Sequence, residues 1–142
     1  MGSASDPYLL VHVGSEVFDD RDNYQDDEPN PEFYKRIEFR GDFPGCSLME
    51  IKLMDYDILF GDDLIGSTKI DIEDRYFSTD WLAMHVKPIE HRKLYHTASK
   101  CPQGSIKMWL EINSTESTKR VKYDIEPKPP QEFEVRVVVW ES

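Results

Sequence analysis

Basic residues are scarce in this chain of 142 residues: 17 Lys and Arg stand against 28 Asp and Glu, a formal net charge of −11. A nucleic-acid binder carries a basic stripe that displaces counterions from phosphates, so the balance excludes that class. It equally excludes simple electrostatic attachment to anionic lipid, unless bound cations reverse the local field. Cysteine is scarce too. Cys46 and Cys101 lack metal-ligand spacing and cannot build a disulfide framework; their number fits a reducing compartment and leaves one bridge open. No apolar run approaches the roughly 20 residues of a membrane helix, and no charged-apolar-small leader opens the chain. The seven glycines form no phosphate-cradling loop ahead of a helix, and no Ser, Cys and His are spaced to make an activated nucleophile. His12, His85, His91 and His96 have no mutual spacing suited to zinc. These absences point away from an enzyme.

What remains is the composition of one folded domain: 39% hydrophobic and 32% charged residues, in a chain long enough to bury a core. Strand patterning dominates. Tyr8–Val13 is β-branched and stopped by Gly14; Phe33–Phe39, Ser47–Met54, Gly66–Ile72, Ser105–Ile112 and Glu132–Trp140 alternate or are β-rich. Asn30-Pro31, Gly41–Gly45 and Pro127–Pro130 punctuate them. Glu73–Leu82 has room for a helical turn. Short strands with turns between them predict an all-β, antiparallel sandwich, with Trp109 and Trp140 in its core.

The densest chemistry lies in Met54-Asp55-Tyr56-Asp57-Ile58-Leu59-Phe60-Gly61-Asp62-Asp63-Leu64-Ile65-Gly66. Carboxylates at 55, 57 and 63 flank the apolar triplet Ile58-Leu59-Phe60. Calcium takes six to eight oxygen ligands, which closely spaced Asp side chains in a bending loop supply. An apolar tip beside such a cluster fits a loop that touches lipid once its charge is neutralised. Two plainer readings stand beside this one: a solvated acidic loop, and a triplet that packs beneath it.

At this point a resemblance becomes specific. Asp6-Pro7-Tyr8, then Asn30-Pro31-Glu32-Phe33, Asp55-Tyr56-Asp57 and Asp63-Leu64-Ile65-Gly66 resemble the ordered elements of a C2 domain. Asp22-Asn23-Tyr24, Lys69–Tyr76 and Gly104–Leu110 resemble the ferlins, large multi-C2 proteins with a C-terminal membrane anchor, and in particular a C-terminal, penultimate C2 domain. The resemblance implies an eight-stranded sandwich with calcium loops at one end. It implies that Asp6, Asp55, Asp57 and Asp63 ligate Ca2+, with Asp57 bridging two ions, the Tyr56 carbonyl contributing, and Asp62 substituting or adding charge. Ile58 and Leu59, with Phe60 close by, would press into the bilayer.

The domain map expected is a short expression scar at 1–5 and a C2 domain at 6–126 lacking its own first strand and that strand's ligand. Residues 127–142 would be a linker plus a strand resembling the start of the next C2 domain, which completes the sandwich within the chain or by exchange into a homodimer. The function implied is calcium-dependent binding to an anionic phospholipid membrane in vesicle fusion or membrane repair. It would act at the cytoplasmic face of a vesicle or plasma membrane, beside neighbouring C2 domains of an anchored parent. The alternative is a calcium-independent protein-interaction or structural domain with a vestigial acidic loop.

Overall fold

Three of the strand-patterned segments assemble by hydrophobic alternation into one antiparallel sheet, joined by a fourth strand at Glu16–Asp19, where the polar stretch from Val17 to Pro31 reads as turn. The computed structural model describes residues 4–116 and 124–141. Strand β1 (Pro7–Val13) pairs on one side with β2 (Glu16–Asp19) and on the other with β3 (Leu48–Asp55), which pairs in turn with β4 (Asp63–Asp71), giving the order β2-β1-β3-β4. The β1–β2 turn is two residues long, and Gly14 takes φ 57° there, a conformation that costs other L-residues steric strain. Period-2 geometry sends Leu9, Val11 and Val13 of β1 and Met49 and Ile51 of β3 to one face, where they are buried with Ile70 and Ile72. Phe33, Ile37, Phe39, Ile106, Met108, Leu110 and Ile112 pack against that cluster, which places residues 33–39 and 106–112 over the same face of the sheet.

The second sheet is a hairpin of β5 (Glu90–Leu94) and β6 (Gly104–Met108). It meets β4 through the bridge Ser67↔Tyr95, whose two backbone N–H···O bonds measure 2.9 and 3.0 Å. Gly66 makes the approach feasible: a Cβ there would lie 2.9 Å from the Leu94 Cβ, and Leu94 is only 1% exposed. Between β4 and β5, α1 (Ile72–Phe77) and α2 (Thr79–Ala83) fill the segment expected to turn helically. Asp71 caps α1 by accepting from the Asp74 N–H at 2.9 Å, and Ser78 caps α2 at the Trp81 N–H. Trp81 is buried under Arg75 and Lys87, each 4.9 Å from the ring centroid, and Arg75 pairs with Glu90. These contacts pin the short helices to the β5 edge.

The molecule is therefore all-β and antiparallel with two single-turn helices. Six strands are hydrogen-bonded among the described residues, and two patterned segments are not. Residues 33–39 lie against the core without entering a ladder; Tyr34 takes φ 47°, outside the β region. Residues 132–141 form no strand and expose Phe133, Val135 and Val137–Trp140. Trp140, expected in the core, is 85% exposed, and Trp109, beyond the end of β6, is exposed as well. Strand patterning marks a segment able to pair; burial needs a neighbour, and among the described residues none covers 132–141. Cys46 and Cys101 are free thiols. Residues 1–3 of the expected scar and 117–123, just before the expected boundary at 126, lie outside the described residues.

Candidate functional site

Strand register gathers the acidic residues at one end of the four-stranded sheet. Pro7 pairs with Asp55, and Asp55 pairs with Asp63, so Asp6, Asp55 and Asp63 lie on adjoining strand ends. A shift in the β3–β4 register at Leu53/Met54 precedes the loop and re-aims the last pairs. The Asp6 N–H donates to Asp55 Oδ1 at 2.7 Å, the Tyr56 N–H to the Asp6 carbonyl at 3.0 Å, and the Asp27 N–H to Asp6 Oδ1 at 2.7 Å. These bonds tie the start of β1 to the end of β3 and to the acidic segment 26–28.

Asp62 is the best-partnered carboxylate there. It accepts from the Tyr8 hydroxyl at 2.6 Å, from Arg21 Nε at 2.6 Å and Nη2 at 3.1 Å, and from the Asp57 N–H at 3.0 Å. Bonding to Arg21, reinforced by Tyr8 and the Asp57 amide, holds its carboxyl well below the usual range although desolvation opposes this. The same pairing raises Arg21 further above its already high value, while desolvation and then Asp62 push the Tyr8 hydroxyl up. Arg21 also lies 4.4 Å from the Tyr56 ring centroid, and Tyr56 stacks on Tyr24 at 4.1 Å with an interplanar angle of 3°. The loop is thus clamped to β1 and to the turn at 21–24.

Above the clamp, Asp57 Oδ1 accepts from the N–H groups of Leu59 (2.7 Å) and Phe60 (3.1 Å). That local bonding closes the tip into a turn, the usual use of an Asp side chain at such a position. The tip faces solvent: Ile58 is 76%, Leu59 79% and Phe60 89% exposed. The triplet does not pack beneath the loop.

Comparison with known proteins agrees with this architecture. Residues 1–89 match the family model of the C2 domain. The chain belongs to the C2 domain family. Its relatives are ferlins. Ferlin 2 of Toxoplasma gondii is 33% identical over 94% of this chain and 10% of its own length. Fer-1-like protein 4 of Mus musculus is 35% identical over 52% of this chain and 4% of its own, and human myoferlin 36% over 51% and 4%. The C2 domain described here thus spans a tenth or less of the length of these relatives.

The donor chemistry suits a hard cation, since the carboxylates of Asp6, Asp55, Asp57 and Asp63 at this end of the sheet offer oxygen. The arrangement is less simple. Among the described residues no three His, Cys, Asp or Glu side chains are grouped to hold a metal ion. Asp6, Asp55 and Asp57 are engaged by backbone N–H groups, Asp62 is engaged by Arg21, and Asp63 is exposed at the start of β4. An ion entering this end would exchange some of those bonds for coordination.

Sequence reasoning did not find Arg21 and Tyr8 as partners of Asp62. One signal was available: Arg21 is the lone base in a run holding six acids between Asp19 and Glu28.

Proposed function

We propose that this C2 domain is a binding module that inserts the Ile58-Leu59-Phe60 tip into an anionic phospholipid surface when calcium neutralises the surrounding carboxylates. The observation that carries this reading is the exposure of three consecutive large apolar residues on a loop braced by Asp57 and Asp62. Asp6, Asp55, Asp57 and Asp63 are the residues that would hold the ion, with the Tyr56 carbonyl beside them. Calcium supplies positive charge and open oxygen-binding positions where the bare loop would repel lipid phosphate. The chain's own contribution is the frame. The Asp6–Asp55 bond aligns the strand ends, and the Arg21 clamp removes Asp62 from the uncompensated charge. Membership of the family and kinship with ferlins support action at the cytoplasmic face of a vesicle or plasma membrane, within an anchored multi-domain parent, in fusion or repair.

One observation favours a second reading, a calcium-independent interaction domain: the carboxylates are already bonded to backbone amides and no metal group is assembled among the described residues. Calorimetric titration of calcium, with thermal melts alongside, separates the two. A ligand that binds only the native state raises the melting temperature by mass action. The lipid reading expects calcium to bind and to raise the melting temperature of the parent chain, and to do neither for Asp55→Asn/Asp57→Asn. If calcium leaves both unchanged, the interaction-domain reading replaces it.

A further inference from the structure

We propose that Arg21 is the positioning residue of the apolar tip: it holds Ile58-Leu59-Phe60 in the projecting pose before any ion arrives, and it withholds Asp62 from that ion. The inference rests on the membrane reading above and assigns the regulation of that loop to a residue outside it. No packing fixes the tip. Ile58, Leu59 and Phe60 are exposed, and a Cβ at Gly61 would meet nothing within 4 Å. The pose therefore comes from polar bonds, and these form one relay. The N–H groups of Leu59 and Phe60 donate to Asp57 Oδ1, and the Asp57 N–H donates across the base of the loop to Asp62 Oδ1 at 3.0 Å. Asp62 in turn takes both arms of Arg21, at 2.6 and 3.1 Å, with Tyr8 adding an uncharged bond.

The far end of the relay is anchored. Arg21 lies 4.4 Å from the Tyr56 ring centroid, Tyr56 stacks on Tyr24, and the Arg21 N–H donates to Asp19 Oδ1 at 2.9 Å. Among the described residues no other base pairs with a carboxylate between 55 and 63. A guanidinium fork fixes both the distance and the plane of the carboxylate it holds, which an ammonium does not. Arg21 thus sets two quantities in opposite directions. Its charge lowers the pull of the loop on calcium. Its fork orders the tip, and a loop ordered beforehand loses less freedom on insertion.

The test compares the full chain with Arg21→Gln, Arg21→Lys and Arg21→Gln/Asp62→Asn. Three quantities are read: amide exchange of residues 57–62 without calcium, calorimetric calcium affinity, and binding to phosphatidylserine-rich vesicles at saturating calcium. The Arg21 side chain is 42% exposed, so the fold survives its replacement, which melts check. Arg21→Gln should speed exchange at Leu59 and Phe60 and leave β1 and β3 unchanged. It should tighten calcium binding about threefold to tenfold and weaken vesicle binding about tenfold. The double variant restores the local charge, so its calcium affinity should match the parent while exchange stays fast and vesicle binding weak. Arg21→Lys should behave likewise, since it keeps the charge and loses the fork. Equal ion-free exchange in the parent and Arg21→Gln, calcium and vesicle affinities moving in the same direction, or full rescue of vesicle binding by lysine overturns the proposal. A parent chain that binds neither calcium nor vesicles removes the membrane reading instead, and ion-free exchange still decides whether Arg21 holds the tip.

Discussion

Replacing Leu59 and Phe60 together by Ser separates a lipid-inserting tip from a structural one. Both side chains are at least 79% exposed, so almost their whole apolar area is available for transfer. Full burial of one such side chain is worth roughly 1.5–3 kcal/mol. If half of that is realised at the depth of a headgroup region, Leu59→Ser/Phe60→Ser removes about 1.5–3 kcal/mol. At about 1.4 kcal/mol per tenfold, vesicle affinity falls roughly 10- to 100-fold. Folding stability should move by no more than about 0.5 kcal/mol, as for other surface positions. The assay is co-sedimentation with phosphatidylserine-rich vesicles in calcium, titrated in lipid, with melts of each protein. Val86→Ser is the control, since Val86 is 80% exposed and lies beyond α2, away from the tip. Equal losses for tip and control, or undiminished binding by the tip variant, would refute the reasoning; a collapsed melting temperature would show that the tip is packing after all.

Four further outcomes follow from the frame. Leu94→Ala should cost about 2–5 kcal/mol in urea unfolding, because it empties a fully buried site at the joint between the sheets. Gly66→Val should cost at least about 1–3 kcal/mol, its Cβ being forced onto Leu94. Asp62 and Glu90 both have folded-state pKa values lowered, first of all by bonding to arginine. Their contribution is complete above the unfolded carboxylate range of about 4 and is lost as pH falls below it; urea midpoints against pH should show a shallower acid limb in Asp62→Asn. Tyr8 has the opposite sign: raised in the folded state, it favours folding fully below about pH 10 and loses that contribution above it. Tyr8→Phe should therefore flatten the alkaline limb of the same profile.

Local pattern foretold what local pattern decides. The alternation of Tyr8–Val13 and Ser47–Met54 became β1 and β3, and the acids at 55 and 63 fell at strand ends because the strands ran to them. The clamp was illegible for a physical reason: Asp62 meets Tyr8 and Arg21 across 54 and 41 residues of chain, and neither partner advertises itself by spacing. Residues 33–39 and 132–140 mark the other limit. Their alternation specifies which face turns inward, but a ladder needs a neighbouring edge, and alternation says nothing of where that edge comes from. Trp140 shows the cost of treating pattern as burial.

The joint at Gly66 gives the molecule two tiers of permanence. The β5–β6 hairpin holds the four-stranded sheet through two main-chain bonds at Ser67 and Tyr95, with Arg92 reaching across to Thr68 and to the Lys69 carbonyl. Every strand in the larger sheet is stitched along most of its length to a neighbour. Amide protons of β1 and β3 should therefore exchange only when the whole domain opens, and those of the hairpin sooner, through a partial opening that leaves the acidic end of the sheet standing. A domain built this way keeps its loop frame while its far layer breathes.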